Sequence, residues 1–306
     1  MNRIAKIIAA CLCLTTLGVG AGAANKQPRL ANDATIDAAE RAPLHPFAVS
    51  GLWNTPYAPF KVIGNIYYVG TAGVSSYLIT SPKGHILIDG ILAQSVPQII
   101  GNVKALGFDI RDVKYLLNSH AHIDHAGGLA GLQRASGATM IASVADKPFL
   151  EAGDIGHGPS DGMKFPPVRV DRVIGDGGTV RLGGITLTAR LTPGHSPGCT
   201  SWSMTTVGTD RVRRQVFFHC SGTVAGQSLL PEAYPGIVTN FRATFAKVRT
   251  FKADVFLANH DSLFDLPEKR ARQVAGDANA FVDAGELQRF NTLMEQRFEA
   301  ELGGKK

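Results

Sequence analysis

Apolar and polar positions alternate along this chain in short runs that read as strands, broken by turn residues and interleaved with stretches of helical spacing. Residues 60–63, 66–69, 75–80 and 85–88 are β-rich runs separated by glycine, asparagine and a Pro-Lys-Gly turn, which predicts an antiparallel meander. Residues 92–106 then carry apolar side chains at helical spacing, and 113–117 return to a strand. A helical stretch at 129–135 and a strand at 139–142 continue the alternation. The second half repeats the theme, with strands at 172–174, 180–182, 185–191, 200–205, 216–219 and 255–258 and helical stretches at 239–251, 267–277 and 284–302. In the last of these Leu287, Phe290, Leu293, Met294 and Phe298 fall on one face and predict core packing. Two strand-rich halves, each followed by helices, pack as two mixed β-sheets flanked by helices, a four-layer αββα sandwich of the α/β (α+β) class.

The pattern breaks most sharply after Leu116 and Leu117, where a polar burst places His120, His122, Asp124 and His125 within six residues of chain. Imidazole nitrogens and carboxylate oxygens are what divalent zinc takes at about 2.0–2.2 Å, and three imidazoles plus a carboxylate exceed the usual ligand set of one catalytic zinc. The surplus predicts two metals. Ala126, Gly127 and Gly128 follow, small residues that let backbones approach closely. Two distant histidines share the setting of the loop. His195 follows a strand inside a Pro/Gly-rich turn, and His260 stands just past the run 255–258. Loops at strand ends gathered on one edge can assemble a site from residues far apart in sequence. The segment 153–167, rich in glycine and proline, predicts a long loop bordering such a site, with His157 as a lid residue rather than a ligand.

Composition changes the picture little: 306 residues, 44% hydrophobic and 18% charged, describe an ordinary globular chain. The N-terminus adds more. Arg3 and Lys6 precede an apolar stretch and then Ala21-Gly22-Ala23, so residues 1–23 read as a removed signal peptide and the mature protein as exported, periplasmic and without a membrane span. Residues 24–46 lack periodicity and predict a mobile mature N-terminus, leaving 47–306 as one domain. Only Cys199 and Cys220 remain after the leader; in an oxidising compartment one disulfide joins them, the alternative being that one thiol binds metal. Removing Arg3 and Lys6 lowers the net charge from +6 to +4. Without a cluster of basic and aromatic residues, nucleic acid is excluded as a partner.

His120, His122, Asp124 and His125 form the His-x-His-x-Asp-His signature of the metallo-β-lactamase superfamily, and over nearly the whole mature chain the sequence resembles that superfamily. Within it the chain is similar to the third subclass of class B β-lactamases, with Gly198 to Trp202 and Pro166 to Asp171 adding to the likeness. The resemblance implies two zinc ions, one held by His120, His122 and His195, the other by Asp124, His125 and His260. It implies that Asp124 also orients the attacking hydroxide, that Ser221 bonds a metal-bound water, and that Thr223 helps hold the substrate carboxylate. Asp89 resembles the aspartate that buttresses the ligand loop, though a turn-forming Asp before Gly90 reads equally well. The implied reaction is hydrolysis of a small β-lactam, carbapenems included, by a monomer; the rivals are a thioester, lactone or phosphoester hydrolase of the same fold, and a zinc-stabilised binding module. Two departures stand out. Where glyoxalase II relatives carry a metal-bridging Asp, this chain has the run 216–223 without one, and Asn259 replaces the family's proline before the last histidine.

Overall fold

The computed structural model describes residues 31–304. Its first sheet has seven strands in the order of the chain: β1 (Phe60–Ile63), β2 (Ile66–Tyr68), β3 (Tyr77–Ser81), β4 (Gly84–Ile88), β5 (Val113–Leu117), β6 (Thr139–Ser143) and β7 (Arg172–Ile174). Strands β1 to β4 pair antiparallel, as their short turns require, while β4 to β7 pair parallel because helices or long loops carry the chain back between them. The second sheet holds β8 (Thr179–Leu182), β9 (Ile185–Leu191), β10 (Thr200–Val207), β11 (Arg213–His219) and β12 (Val255–Ala258), in the order β12-β11-β10-β9-β8.

Period-two alternation sorts side chains between two cores. In β5, Leu116 joins the cluster beneath the helices of the first sheet, whereas Leu117 joins the cluster between the sheets. That inter-sheet core includes Trp202, Phe217 and Phe256 and continues under the helices Ile237–Val248 and Glu286–Gly303, where Phe241, Phe245 and Phe298 stack at centroid distances of 5.1–5.8 Å. The expected αββα sandwich is therefore present. One residue of the expected apolar face is not in it: Leu293 is 43% exposed, because it lies on the shoulder of a helix whose buried side is completed by Leu287, Phe290, Met294, Phe298 and Leu302.

The N-terminal segment also differs from expectation. The leader at 1–23 lies outside the described residues, but Asp33–Arg41 is a helix where an aperiodic mobile segment was predicted. A single buried apolar residue, Ile36, is too weak a signal to show as periodicity. The helix is held instead by an Asn32 cap to the Thr35 N–H at 2.9 Å and by Arg134, which donates to Asp37 at 2.6 Å and to Glu40 at 3.0 Å. A second short helix, Pro46–Ser50, follows. Among the described residues no helix is long and apolar enough to cross a membrane.

The strand directions decide where a site can form. Strands β4, β5 and β6 are parallel and end on one edge; in the other sheet β9 and β12 both run parallel to β11, so their C-termini also share an edge. The two edges are laced together there. Ser119 accepts the Thr200 N–H at 2.8 Å, Asn118 accepts the Trp202 indole N–H at 3.1 Å, and Tyr77 donates to the Ala258 carbonyl at 2.7 Å.

Candidate metal centre

The chain leaves β5 at Asn118, and the short helix Ile123–Ala126 places Asp124 and His125 beside His120 and His122. Its exit needs glycine: a Cβ on Gly128 would stand 2.2 Å from the Gly90 carbonyl oxygen, so the loop lies directly on the chain leaving β4. That chain is itself unusual, with Asp89 at φ 64° and the fully buried Ile91 at φ 56°. A β-branched residue in that region is strained, and it is held because the Ile91 carbonyl accepts the Gly128 N–H at 2.9 Å.

The six histidine and aspartate ligands expected from the sequence come together as two groups. In the first, His122 Nδ1 lies 2.9 Å from His120 Nε2 and 3.1 Å from His195 Nε2. In the second, Asp124 Oδ2 lies 3.2 Å from His125 Nε2 and 3.3 Å from His260 Nε2, and the two imidazole nitrogens are 3.3 Å apart. Ligand atoms about 2.0–2.1 Å from a tetrahedral zinc stand about 3.3 Å from one another, so both trios are spaced as zinc ligands would be. Within each trio all ligand atoms lie within 4.8 Å of one another.

Hydrogen bonds behind the rings fix which nitrogen faces inward. His195 donates from Nδ1 to the Thr223 carbonyl at 3.0 Å, and His260 from Nδ1 to the Gly73 carbonyl at 2.9 Å, leaving each Nε2 lone pair free. Asp89 lies behind the loop: its carboxylate is 3.2 Å from His125 Nδ1 and accepts the Ser119 N–H at 2.6 Å and hydroxyl at 2.8 Å. His122 is turned the other way, its Nε2 buried without a partner among the described residues. Burial and neighbouring imidazoles hold His120 and His122 well below the usual histidine pKa, and burial lowers His195 to about 4, so these three rings are neutral. His125 is raised to about 10, because the Asp124 and Asp89 carboxylates outweigh its desolvation. Asp124 is correspondingly held well below the carboxylate range by His125 and His260, against its own burial.

Cys199 and Cys220 are joined by a disulfide with a Cα–Cα distance of 5.8 Å. Cys220 Sγ stands 3.6 Å from His120 Nδ1, but the bridge occupies both sulfurs and removes the thiolate alternative. Ser221 and Thr223 hydrogen-bond each other at 3.0 Å. His157 belongs to neither trio; its ring packs against Tyr234 and Phe149 at 5.1 and 5.7 Å. A cavity of about 240 Å³ opens over the two trios, lined by His122, Asp124, His195 and His260 together with Phe47, Trp53 and Met163. Pro159, Ser160 and Met163 come from the predicted border loop. A larger groove of about 580 Å³ along the two C-terminal helices is lined by paired charges such as Lys269 with Glu286 and contains neither trio.

Several supporting residues escaped the sequence reading. Asp146 is fully buried, accepts the Asn118 amide at 2.7 Å and is raised to about 7 chiefly by desolvation, bracing the ligand loop from below. Its position just past β6 was the only available signal. Gln227, completely buried, donates to the His195 carbonyl at 3.2 Å, and Tyr234 donates to the Gly194 carbonyl at 2.8 Å; neither carries a sequence pattern.

Residues 69–207 match the family model described as the metallo-β-lactamase superfamily. The structure is similar to the subclass B3 metallo-β-lactamase of Bradyrhizobium japonicum, with a TM-score of 0.80 and 44% identity over 84% of this chain and 97% of that one. It is also similar to the native metallo-β-lactamase of Legionella gormanii, with a TM-score of 0.78 and 35% identity over 81% of this chain and 97% of that one. Among curated proteins, the N-acyl homoserine lactonase of Azorhizobium caulinodans is 32% identical over 160 residues, covering 41% of this chain and 57% of that protein. The chain spans about half the length of the curated relatives it matches. With identity above 40% along nearly the whole of a solved relative, on the same sandwich and bearing the signature loop at its edge, the chain belongs to the metallo-β-lactamase superfamily.

Proposed function

We propose that the protein is a zinc-dependent β-lactamase that takes two zinc ions and opens the lactam amide of β-lactams, carbapenems included. The observation carrying this reading is the pairing of an all-imidazole trio with an Asp-His-His trio at the end of a strand that offers no bridging carboxylate: β11 runs out through His219, Cys220 and Ser221. The structural likeness to a subclass B3 β-lactamase, at 44% identity, extends along 84% of the chain.

Bound zinc supplies Lewis acidity and lowers the pKa of water to about 7. The protein's own residues do the rest. His120, His122 and His195 bind as neutral donors, and Asp124 adds one negative charge to the second trio, so the two positions differ in field. Asp124, on the cavity wall, orients the attacking water towards the lactam carbonyl. Phe47, Trp53 and Met163 cover the substrate's apolar side and exclude bulk water. The Ser221 and Thr223 hydroxyls take the water at the centre and the substrate carboxylate respectively. The enzyme acts as a periplasmic monomer; the leader-like N-terminus and the Cys199–Cys220 bridge support export to an oxidising compartment.

A second reading, hydrolysis of a lactone or thioester, draws on the lactonase likeness. Turnover of a carbapenem, an acyl homoserine lactone and a lactoyl thioester should be measured with zinc, with a chelator and after zinc is returned. Carbapenem turnover that follows zinc, with the other two inert, is expected. Lactone or thioester turnover with an inert lactam would overturn the β-lactamase assignment.

A further inference from the structure

We infer that Asp261 is a positioning residue for the second metal ion, acting through Gly73 on the ring of its neighbour His260. The inference rests on the metal-centre reading above. His260 and Asp261 clasp the same glycine from two sides: the His260 Nδ1–H donates to the Gly73 carbonyl at 2.9 Å, and the Asp261 carboxylate accepts the Gly73 N–H at 2.8 Å. Gly73 lies 187 residues from His260 along the chain, so the clasp joins the first sheet's loop to the last strand of the second.

The surrounding backbone makes this a closed ring. Val74 bridges His260 antiparallel, Ser75 donates its N–H to the Asn259 carbonyl at 2.8 Å, and Thr71 donates to the Val74 carbonyl at 3.1 Å. Gly73 sits at φ 86°, and a Cβ there would come within 2.6 Å of the Gly51 carbonyl oxygen, so the loop has one place to lie. The ring is closed by Asp261, whose carboxylate accepts the Gly73 N–H at 2.8 Å. A Gly73 carbonyl fixed in this way holds the His260 ring in the tautomer and plane that aim Nε2 at Asp124 and His125, 3.3 Å from each. His195 has its own support, its Nδ1–H held by the Thr223 carbonyl and the Thr223 N–H by the Ser221 hydroxyl, so Asp261 bears on the second trio alone.

The test is zinc affinity, read by competition with a chromophoric chelator, in proteins where one trio has been disabled. In a His120→Ala protein, which keeps the second trio, adding Asp261→Ala should weaken zinc binding by about 10- to 100-fold, the range for residues that orient metal ligands. Asp261→Asn, which keeps an oxygen for the Gly73 N–H, should recover affinity to within about threefold. In a His260→Ala protein, which keeps the first trio, Asp261→Ala should leave zinc affinity unchanged. Should the alanine variant fail to fold, Asp261→Ser, too short to reach Gly73, takes its place. Affinity indifferent to Asp261, or an equal loss at both trios, overturns the inference alone. A His120→Ala protein with no zinc affinity at all overturns the metal-centre reading and this inference with it.

Discussion

His219 closes β11, 3% exposed, with the rings of Phe217, Phe256 and Phe290 at centroid distances of 5.4–6.0 Å. Its Nδ1 has no partner among the described residues, and burial alone lowers its pKa from the ordinary 6.5 to about 4. The native state therefore holds the ring neutral, while the unfolded chain takes up a proton below about pH 6.5. Stability from this residue is intact above that pH, declines as pH falls, and is fully lost below about pH 4. Linkage between pKa values of 6.5 and about 4 gives a loss of about 2–3 kcal/mol at about pH 4.5 and almost none at about pH 7.5. Replacing His219 by leucine removes the titration and suits the pocket. Urea unfolding of wild type and His219→Leu, followed by tryptophan fluorescence at both pH values, isolates it, because contributions from the other histidines cancel in the difference. The variant should equal or exceed wild type at neutral pH and outlast it by about 2–3 kcal/mol in acid. A pH-independent difference between the two would refute the reasoning.

Other perturbations separate the site from its scaffold. Asp89→Ala, which unties His125 and Ser119 together, should weaken zinc at the second trio by about 10- to 100-fold in a chelator competition. Gly194→Ala should cut zinc-dependent turnover at least about tenfold by moving His195, since the glycine sits at φ 149° and a Cβ would meet the Phe241 ring at 2.7 Å. Phe298→Ala should cost about 3–5 kcal/mol in urea unfolding, because the completely buried ring packs on Phe241 and Phe245.

The ligand loop was legible because all its chemistry is local. Four ligands within six residues after two leucines announce a metal site without reference to anything else, and the strand runs around them fixed the sandwich class. His195 and His260 could be proposed because each stands where an apolar strand stops. The helix Asp33–Arg41 could not, since one buried isoleucine and ion pairs to Arg134, nearly a hundred residues away, leave no periodic trace. The same holds for Asp146, Gln227, Gly73 and Asp261, whose roles are contacts across 28 to 188 residues of chain. Sequence by itself determined which donors exist and which of them leave a strand together. Tertiary structure alone decided which nitrogen of each ring faces inward and which distant backbone carbonyl holds it there. Ligand type is a property of a residue, whereas ligand direction is set by the hydrogen bonds that distant backbone groups supply.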